Sequence, residues 1–311
     1  MFLHPHVTAI QPKDGILFHT ILKFLEPAGK TTPVIYPLLT FILLFTQALT
    51  LTRVINDHRM INRSNFLPGM SYLLITSFFP EWNYFSAPLL VNTLLILVLG
   101  WLFKIYNQPK AKGTVFNIGL AIGVSSFIFF SSLTFVIWVF FALMIMRPFH
   151  LNEWLLCLLG ITTPYYFYGI YLFLTDQWKM AKILPYLTVQ IPSLQQSIWL
   201  AASSILLIIP FLVGGYFVQD NLRRMLIQVR KGWSLVLIYL LVATFVSFVN
   251  TTSVPFVNTT STFENWVMAA VPFATFHSCT YFYPPRKLFP LIIFWISIAF
   301  VLVYQYYEPG W

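Results

Sequence analysis

The chain has 311 residues, of which 58% are apolar, 19% are aromatic and 9% are charged. Soluble domains carry about a quarter charged residues and under half apolar ones, so this composition excludes a water-soluble protein. The net charge is +9, but the basic residues are spread thinly between apolar runs and form no continuous face for nucleic acid. Since no polar linker divides the chain, we predict one all-α integral membrane domain over residues 1–311.

The segment 1–32 is predicted to lie on the outer face of the membrane. It lacks the basic start, long apolar core and cleavage site of a signal peptide. Residues 15–26 have an apolar stripe and a polar face at helical spacing, which is typical of a helix lying in the membrane interface. The stripe comprises Leu17, Phe18, Ile21, Leu22 and Leu25, and the polar face His19, Lys23 and Glu26. Pro27 and Gly29 are expected to end this helix.

Apolar runs long enough to be membrane spans follow at regular intervals. A span needs about 20 apolar residues, with roughly 17 to 25 observed. Ten segments qualify or nearly qualify: 33–52, 66–80, 85–106, 114–131, 133–146, 153–175, 197–217, 234–250, 266–281 and 288–306. The sequence therefore predicts a helical bundle of about ten spans.

The loop charges give this bundle an orientation. Lys and Arg concentrate in short cytoplasmic loops, and strict alternation from an inward loop at 53–65 places 13 of the 18 basic residues inside. Both termini then face outward, away from the cytoplasm. Because segment 1–32 would have to cross the membrane with no span before it, an upstream first span is expected.

Carboxylates show the opposite bias, with six of nine on the predicted outer side. They serve either as solvating loop charges or as an outward-facing catalytic site. Asp14, just before the interfacial helix, and Glu81 are the candidate catalytic residues, although Asp14 also suits a helix cap. In the second long outer segment, 176–196, Lys179 and Lys182 are placed to meet a lipid phosphate. His19 is a further candidate substrate contact.

Metal and cofactor chemistry is not indicated. The six histidines are divided among both faces and one span, so they do not supply an iron site. Cys157 and Cys279 lie in apolar runs and are predicted to be buried free thiols. Nucleotide-binding, serine hydrolase and zinc protease motifs are absent, and the sequence identifies no cofactor. Asn92 and Asn117 are the polar span residues that should find partners on other helices.

Four stretches carry a resemblance to a known family. They are Leu67 to Ile96, Phe116 to Gly119 (FNIG), Arg147 to Leu155 (RPFHLNEWL) and Thr163 to Phe167 (TPYYF). They resemble an uncharacterised family of polytopic integral inner-membrane proteins of Gram-negative bacteria, a domain of unknown function. The resemblance implies a compartment, the bacterial inner membrane, and no activity.

A weaker, architectural likeness is to multi-span glycosyltransferases of the GT-C type, which use polyprenyl-phosphate sugars. An early outer carboxylate followed by an interfacial helix, here Asp14 and residues 15–26, is similar to that arrangement. The likeness implies that Asp14 is a general base, that Glu81 is a second carboxylate, and that Lys179 or Lys182 holds the lipid phosphate of the sugar donor.

Three functions remain open from the sequence. The first is a lipid-linked-sugar glycosyltransferase that acts at the outer leaflet. The second is a non-enzymatic structural or assembly subunit that packs against partner membrane subunits. The third is a transporter, which is disfavoured because no predicted span has a charge near its middle.

Overall fold

The computed structural model describes residues 8, 11, 14–106, 108–178, 186–189, 198–252, 263–286 and 288–307. These residues form eleven α-helices. They are α1 (Ile16–Thr31), α2 (Ile35–Asp57), α3 (Leu67–Thr76), α4 (Ala87–Lys104), α5 (Lys112–Ile128), α6 (Phe135–Met146), α7 (Leu151–Leu174), α8 (Ile198–Asn221), α9 (Ile227–Ser247), α10 (Ala270–Phe282) and α11 (Leu288–Tyr307). Four 3₁₀ turns accompany them at Pro80–Asn83, Phe130–Thr134, Leu222–Arg224 and Phe263–Ala269.

The all-α class is confirmed, with one small addition. Two four-residue strands, β1 (Tyr186–Val189) and β2 (Val249–Thr252), pair antiparallel with Tyr186 opposite Thr252. Strand β1 lies inside segment 176–196, which the sequence predicts to be the second long outer segment. A tight backbone pairing therefore ties that segment to the end of α9.

One helix lies on each of the ten predicted segments. Five helices of the described chain are long and apolar enough to cross a membrane: α2, α4, α7, α8 with the turn after it, and α9. Helices α3, α5, α6 and α11 contain shorter apolar stretches. The described chain therefore has several apolar helices, as a membrane protein does, and five of them are candidate spans by length and composition.

Contacts near the ends of α3, α5, α8 and α10 define two opposite ends of the bundle. At one end, the Gly15 N–H donates to Ile128 O at 2.9 Å, and Ser203 Oγ, near the start of α8, donates to Phe78 O, after α3, at 3.0 Å. We call this the acidic end, since Asp14, Glu81 and Glu264 lie there. At the opposite end, the rings of Phe217, late in α8, and Tyr283, just after α10, stack at 6.4 Å. We call this the basic end; it includes Arg147, Arg230, Lys231 and Arg286.

Helix α1 lies across the acidic end. Its Phe18 ring is 5.6 Å from that of Phe85, which precedes α4, and Gly29 packs on the ring of Tyr36 in α2. The predicted apolar stripe is split, because Phe18 and Leu22 are buried whereas Leu17 and Ile21 are exposed, as is Phe24.

The expectation that Pro27 and Gly29 end α1 is wrong, since the helix continues to Thr31. Proline at 27 removes the hydrogen bond to the carbonyl of Lys23. Lys23 is exposed, so its carbonyl can be solvated. The next turn is supported by the Glu26–Lys30 ion pair at 2.7 Å and by the packing of Gly29 on Tyr36.

Polar side chains buried in the bundle bond to one another across four helices. The Tyr72 hydroxyl donates to Gln47 Oε1 at 2.6 Å and accepts from Asn92 Nδ2 at 2.9 Å. Asn92 Oδ1 in turn accepts from the Tyr239 hydroxyl at 3.4 Å. The expected partners of Asn92 are thus found, whereas Asn117 is exposed on α5. This uncharged network links α2, α3, α4 and α9.

Helix α8 is held to α10 where Pro210 interrupts its hydrogen-bond ladder. His277 Nε2 lies 2.7 Å from Leu207 O, and Thr280 Oγ1 donates to Pro210 O. Proline within a membrane helix is tolerated where neighbouring helices satisfy the freed backbone groups. The carbonyl that Pro210 frees is that of Leu206, and the bonds to the neighbouring carbonyls of Leu207 and Pro210 attach α10 to α8 at this interruption.

The basic end contains a buried ion pair, although the sequence indicates only that Arg147 is one of the basic residues of the inner loops. Arg147 Nη2 lies 2.8 Å from Glu153 Oε1, with the two side chains 12% and 10% exposed. Arg147 Nη1 donates to Ile105 O at 3.1 Å and Gln108 O at 2.6 Å. One guanidinium therefore satisfies carbonyls after α4 and joins the end of α6 to the start of α7.

Helices α5 and α7 approach backbone to backbone through three glycines. A Cβ on Gly119 would clash with Cys157 O, and one on Gly160 with Phe116 O. A Cβ on Gly123 would lie 2.6 Å from Ile161 O. Small residues at such crossings are the usual device of membrane helices, because they let dispersion contacts form along the backbones.

We expect Gly119→Ala to lower the free energy of unfolding by about 1–3 kcal/mol, since an added methyl group must separate two packed backbones. Thermal unfolding in detergent measures the change. Gly113→Ala, in the first turn of the same helix, is the matched control because a Cβ there meets nothing within 4 Å. Equal melting temperatures for the two variants would show that α5 and α7 do not approach so closely.

Arg147→Met should lower the free energy of unfolding by about 3–5 kcal/mol, because it leaves Glu153 buried without its partner charge. The control is Arg53→Gln, in an exposed pair with Asp57 whose side chains are 83% and 61% exposed, for which we expect about 0–1 kcal/mol. The double variant Arg147→Met with Glu153→Met should recover part of the loss, since a buried pair can be replaced by apolar residues. A double variant as unstable as the sum of the two single variants would refute this account.

Candidate functional site

Asp14 is tied to the end of α5. The Gln11 N–H donates to Asp14 Oδ2 at 2.9 Å, and the backbone of Asp14 forms an isolated antiparallel bridge with Phe129. Gly15, and not Asp14, is the N-cap of α1, which has no side-chain cap bond. The carboxylate thus closes a turn before the helix, and the capping alternative for Asp14 is wrong.

Gly15 explains why the chain can enter α1 at this point. A Cβ on Gly15 would clash with the carbonyl oxygen of Phe127 and lie 2.7 Å from that of Ile128. Only glycine permits the backbone to approach the end of α5 so closely. The position of Asp14 therefore follows from the residue next to it.

Glu81 lies in the 3₁₀ turn Pro80–Asn83 between α3 and α4. Asn83 Nδ2 donates to the carbonyls of Thr76 and Phe79, at 3.1 and 3.3 Å, and holds the turn against the end of α3. The indole N–H of the buried Trp82 donates to Phe263 O at 3.1 Å. These bonds fix the turn of Glu81 against the second 3₁₀ turn, Phe263–Ala269.

This arrangement brings Glu81 and Glu264 to the same tyrosine. Burial raises the pKa of the Tyr84 hydroxyl, and the negative charges of Glu81 and then Glu264 raise it further. All three side chains are half-buried. We call them the Glu81–Tyr84–Glu264 cluster; its phenol stays protonated at neutral pH and can donate a hydrogen bond.

Aromatic rings surround the turns that carry the cluster. The rings of Trp82 and Phe263 stack at 5.8 Å with an interplanar angle of 13°, and those of Phe263 and Trp266 stack at 5.7 Å and 19°. Phe79 lies 4.5 Å from Trp82. Trp82 and Phe79 are buried, so these ring contacts hold the two turns together beneath the carboxylates and the phenol.

The two candidate catalytic residues, Asp14 and Glu81, have different neighbours in the structure. Asp14 lies against Ile128 and Phe129, whereas Glu81 shares its surroundings with Tyr84 and Glu264. The N-terminal segment links these regions, since Thr8 Oγ1 donates to Phe85 O at 2.8 Å. Both carboxylates lie at the acidic end, where the turn of Glu81 packs against the turn of Glu264.

The remaining predicted site residues divide between described and undescribed parts. His19 is half-buried on α1, next to Phe18, which packs on Phe85. Lys179 and Lys182 lie outside the described residues. Glu264 was seen in the sequence only as one outer carboxylate, because its partner Glu81 is far away along the chain and no motif joins them.

Among the residues that the structure describes, no group of three or more His, Cys, Asp and Glu side chains is arranged to hold a metal ion. Cys157 and Cys279 are free and buried, as predicted. The carboxylates and the phenol of the cluster are suited to proton transfer, hydrogen bonding and attraction of positive charge.

Comparison with known proteins adds no assignment: no protein-family model, curated protein or solved structure matches the chain.

Proposed function

We propose that the chain is a multi-pass protein of the bacterial inner membrane, with α2 to α11 as its spans. The proposal is supported by the large apolar side chains on the outside of the bundle. Phe41, Leu159, Phe167, Leu241 and Trp295, on four different helices, are each more than half exposed. Apolar surface of this extent is not tolerated in water and is suited to lipid.

In this proposal the basic end faces the cytoplasm and the acidic end the periplasm, as the concentration of Lys and Arg in short loops favours. Helix α1 would then lie in the outer interface, with Leu17, Ile21 and Phe24 in contact with lipid. The Glu81–Tyr84–Glu264 cluster would face the periplasm at the level of the lipid headgroups.

We infer that the activity at this end is glycosyl transfer from a polyprenyl-phosphate-linked sugar. The observation that carries the inference is the packing of the turn of Glu81 against the turn of Glu264, through Trp82 and Phe263, which leaves both carboxylates close enough to Tyr84 to raise its pKa. One carboxylate would accept the proton of an acceptor hydroxyl, while the oxygen of that hydroxyl attacks the anomeric carbon of the sugar. The bond between that carbon and the lipid phosphate breaks, and the phosphate leaves with the electron pair.

The other groups of the acidic end have supporting parts in this proposal. The Tyr84 phenol would donate a hydrogen bond to the sugar, since its pKa is raised. Lys179 or Lys182 would hold the lipid phosphate, and His19 would contact the donor near the interface. Asp14 remains a second carboxylate at the same end, an alternative base for the acceptor.

A second candidate is a structural or assembly subunit, and helix α7 favours it. Its Gly160 face packs against α5, whereas Leu155, Phe167, Tyr171 and Phe173 are each more than half exposed. Such a face can take a partner membrane helix as well as lipid. In that case the acidic end would position partner subunits and not a sugar.

Glu81→Gln and Glu264→Gln are expected to reduce the formation of the product glycan by about 100-fold or more, as loss of a general base does. A cell-envelope glycan profile, recorded with the protein level of each variant, measures this. Asp14→Asn tests the alternative base in the same assay. Glu26→Gln is the control, since Glu26 is exposed on α1 and pairs with Lys30.

Unchanged glycans in all three site variants, at normal protein levels, would exclude glycosyl transfer at this end. Copurification of other membrane proteins with the wild-type chain would then support the assembly subunit.

The orientation has its own test in spheroplasts treated with a membrane-impermeant thiol reagent. Gln177→Cys, exposed after α7, should be labelled at once, and Ser64→Cys, exposed between α2 and α3, only after the membrane is permeabilised. The native Cys157 and Cys279 are buried and should give little background. Labelling in the reverse order would place the basic end outside.

A further inference from the structure

A groove of about 530 Å³ opens at the basic end between α8 and α11. It is lined by Leu212, Val213, Tyr216, Phe217 and Phe289, with Arg286 as its charged residue. Its volume lies within the range of roughly 300–1,000 Å³ typical of sites for small molecules. The groove lies at the opposite end of the bundle from the Glu81–Tyr84–Glu264 cluster.

The groove exists because the chain cannot run directly from α10 into α11. Pro284 and Pro285 line it and stop the helix, since proline lacks the N–H that a helix interior needs. Tyr283, just before them, stacks on Phe217 at an angle of 24° and supports the inner wall. Helix α11 begins at Leu288, which leaves Phe289 facing the groove.

The walls select for an occupant with a long apolar part. Leu212 and Tyr216 are 61% and 69% exposed, and Phe289 is 42% exposed, so the helices leave much of this apolar surface uncovered. A free phosphate ion would leave the apolar walls without contacts. An acyl chain laid along α8 would bury them.

The charge at the groove selects for an anionic head. Arg286 is exposed and is the one charged residue among the described residues of the lining. The turn after α8 adds Arg223 and Arg224 to this end. A guanidinium binds a phosphate through two parallel hydrogen bonds. Basic pockets between membrane helices on the cytoplasmic side are suited to anionic lipid headgroups.

We propose that this groove binds one anionic phospholipid of the inner leaflet, with an acyl chain along α8 and the phosphate paired with Arg286. The inference rests on the proposed membrane topology and is independent of the glycosyl transfer proposed for the other end. The lipid would fill the space between α8 and α11 and stabilise their packing.

Binding can be measured by native mass spectrometry of the full chain in detergent, titrated with phosphatidylglycerol or phosphatidylcholine. The wild-type chain should prefer phosphatidylglycerol. Arg286→Gln should weaken phosphatidylglycerol binding roughly five- to tenfold and leave phosphatidylcholine unchanged. The control is Lys110→Gln, an exposed basic residue of the same end outside the groove, which should change neither.

Leu212→Trp is the second variant, because it fills the groove at an exposed position and keeps Arg286. It should weaken both lipids. Equal loss in Arg286→Gln and Lys110→Gln would overturn the proposal in favour of diffuse charge attraction, and full binding in Leu212→Trp would exclude the acyl chain from the groove.

The thiol-labelling pattern separates the two possible failures. If Gln177→Cys and Ser64→Cys label as expected but Arg286→Gln keeps its lipid preference, the groove assignment alone fails. If the labelling is reversed, the topology on which the lipid site rests fails first.

Discussion

A polar group inside this bundle can find a partner only on another part of the chain, because the outer surface of the helices is apolar and offers no water. This constraint explains the positions of Gln47, Tyr72, Asn92 and Tyr239, whose amides and phenols satisfy one another across four helices. It also explains why the buried charge of Arg147 is surrounded by Glu153 and two backbone carbonyls. An unpaired group in such surroundings costs several kcal/mol, so the polar contacts decide which helices are neighbours.

Because of the same constraint, the polar side chains that are available to a substrate lie at the ends of the bundle. The core network is uncharged and its members are occupied with each other, so it offers no group to a substrate and no charged path for an ion. At the acidic end, two 3₁₀ turns replace helix, and their carboxylates, Glu81 and Glu264, are half-buried. The two turns are adjacent because the Trp82 indole N–H donates to Phe263 O and attaches one turn to the other.

The positions of α2 to α11 could be predicted from the apolar runs of the sequence, because a helix in lipid must be apolar over a length that the bilayer sets. What the sequence could not supply was the contacts between distant residues. The division of the α1 stripe into buried and exposed residues depends on contacts with Phe85 and Tyr36. The neighbouring positions of Glu81 and Glu264 depend on the packing of two turns against each other. The role of Arg147 depends on the carbonyls that follow α4. The prediction that Pro27 ends α1 was wrong for a related reason. The energetic cost of a proline inside a helix depends on whether the carbonyl that it frees, here that of Lys23, can be solvated.

The two ends differ in what holds α8, and this difference bears on the lipid groove. Near the acidic end Ser203 bonds to Phe78 O, and at mid-helix His277 and Thr280 take carbonyls beside Pro210. Beyond that point Gly214 packs closely on Phe276 O, whereas a Cβ on Gly215 would meet open space. One face of the last turns of α8 is therefore fixed to α10 while the other is left open beside Phe289. Helix α10 is itself held to α9, because its Phe276 ring packs on that of Trp233. The side of α8 that contacts α10 is therefore held in place, which favours a defined lipid site over general solvation by the bilayer.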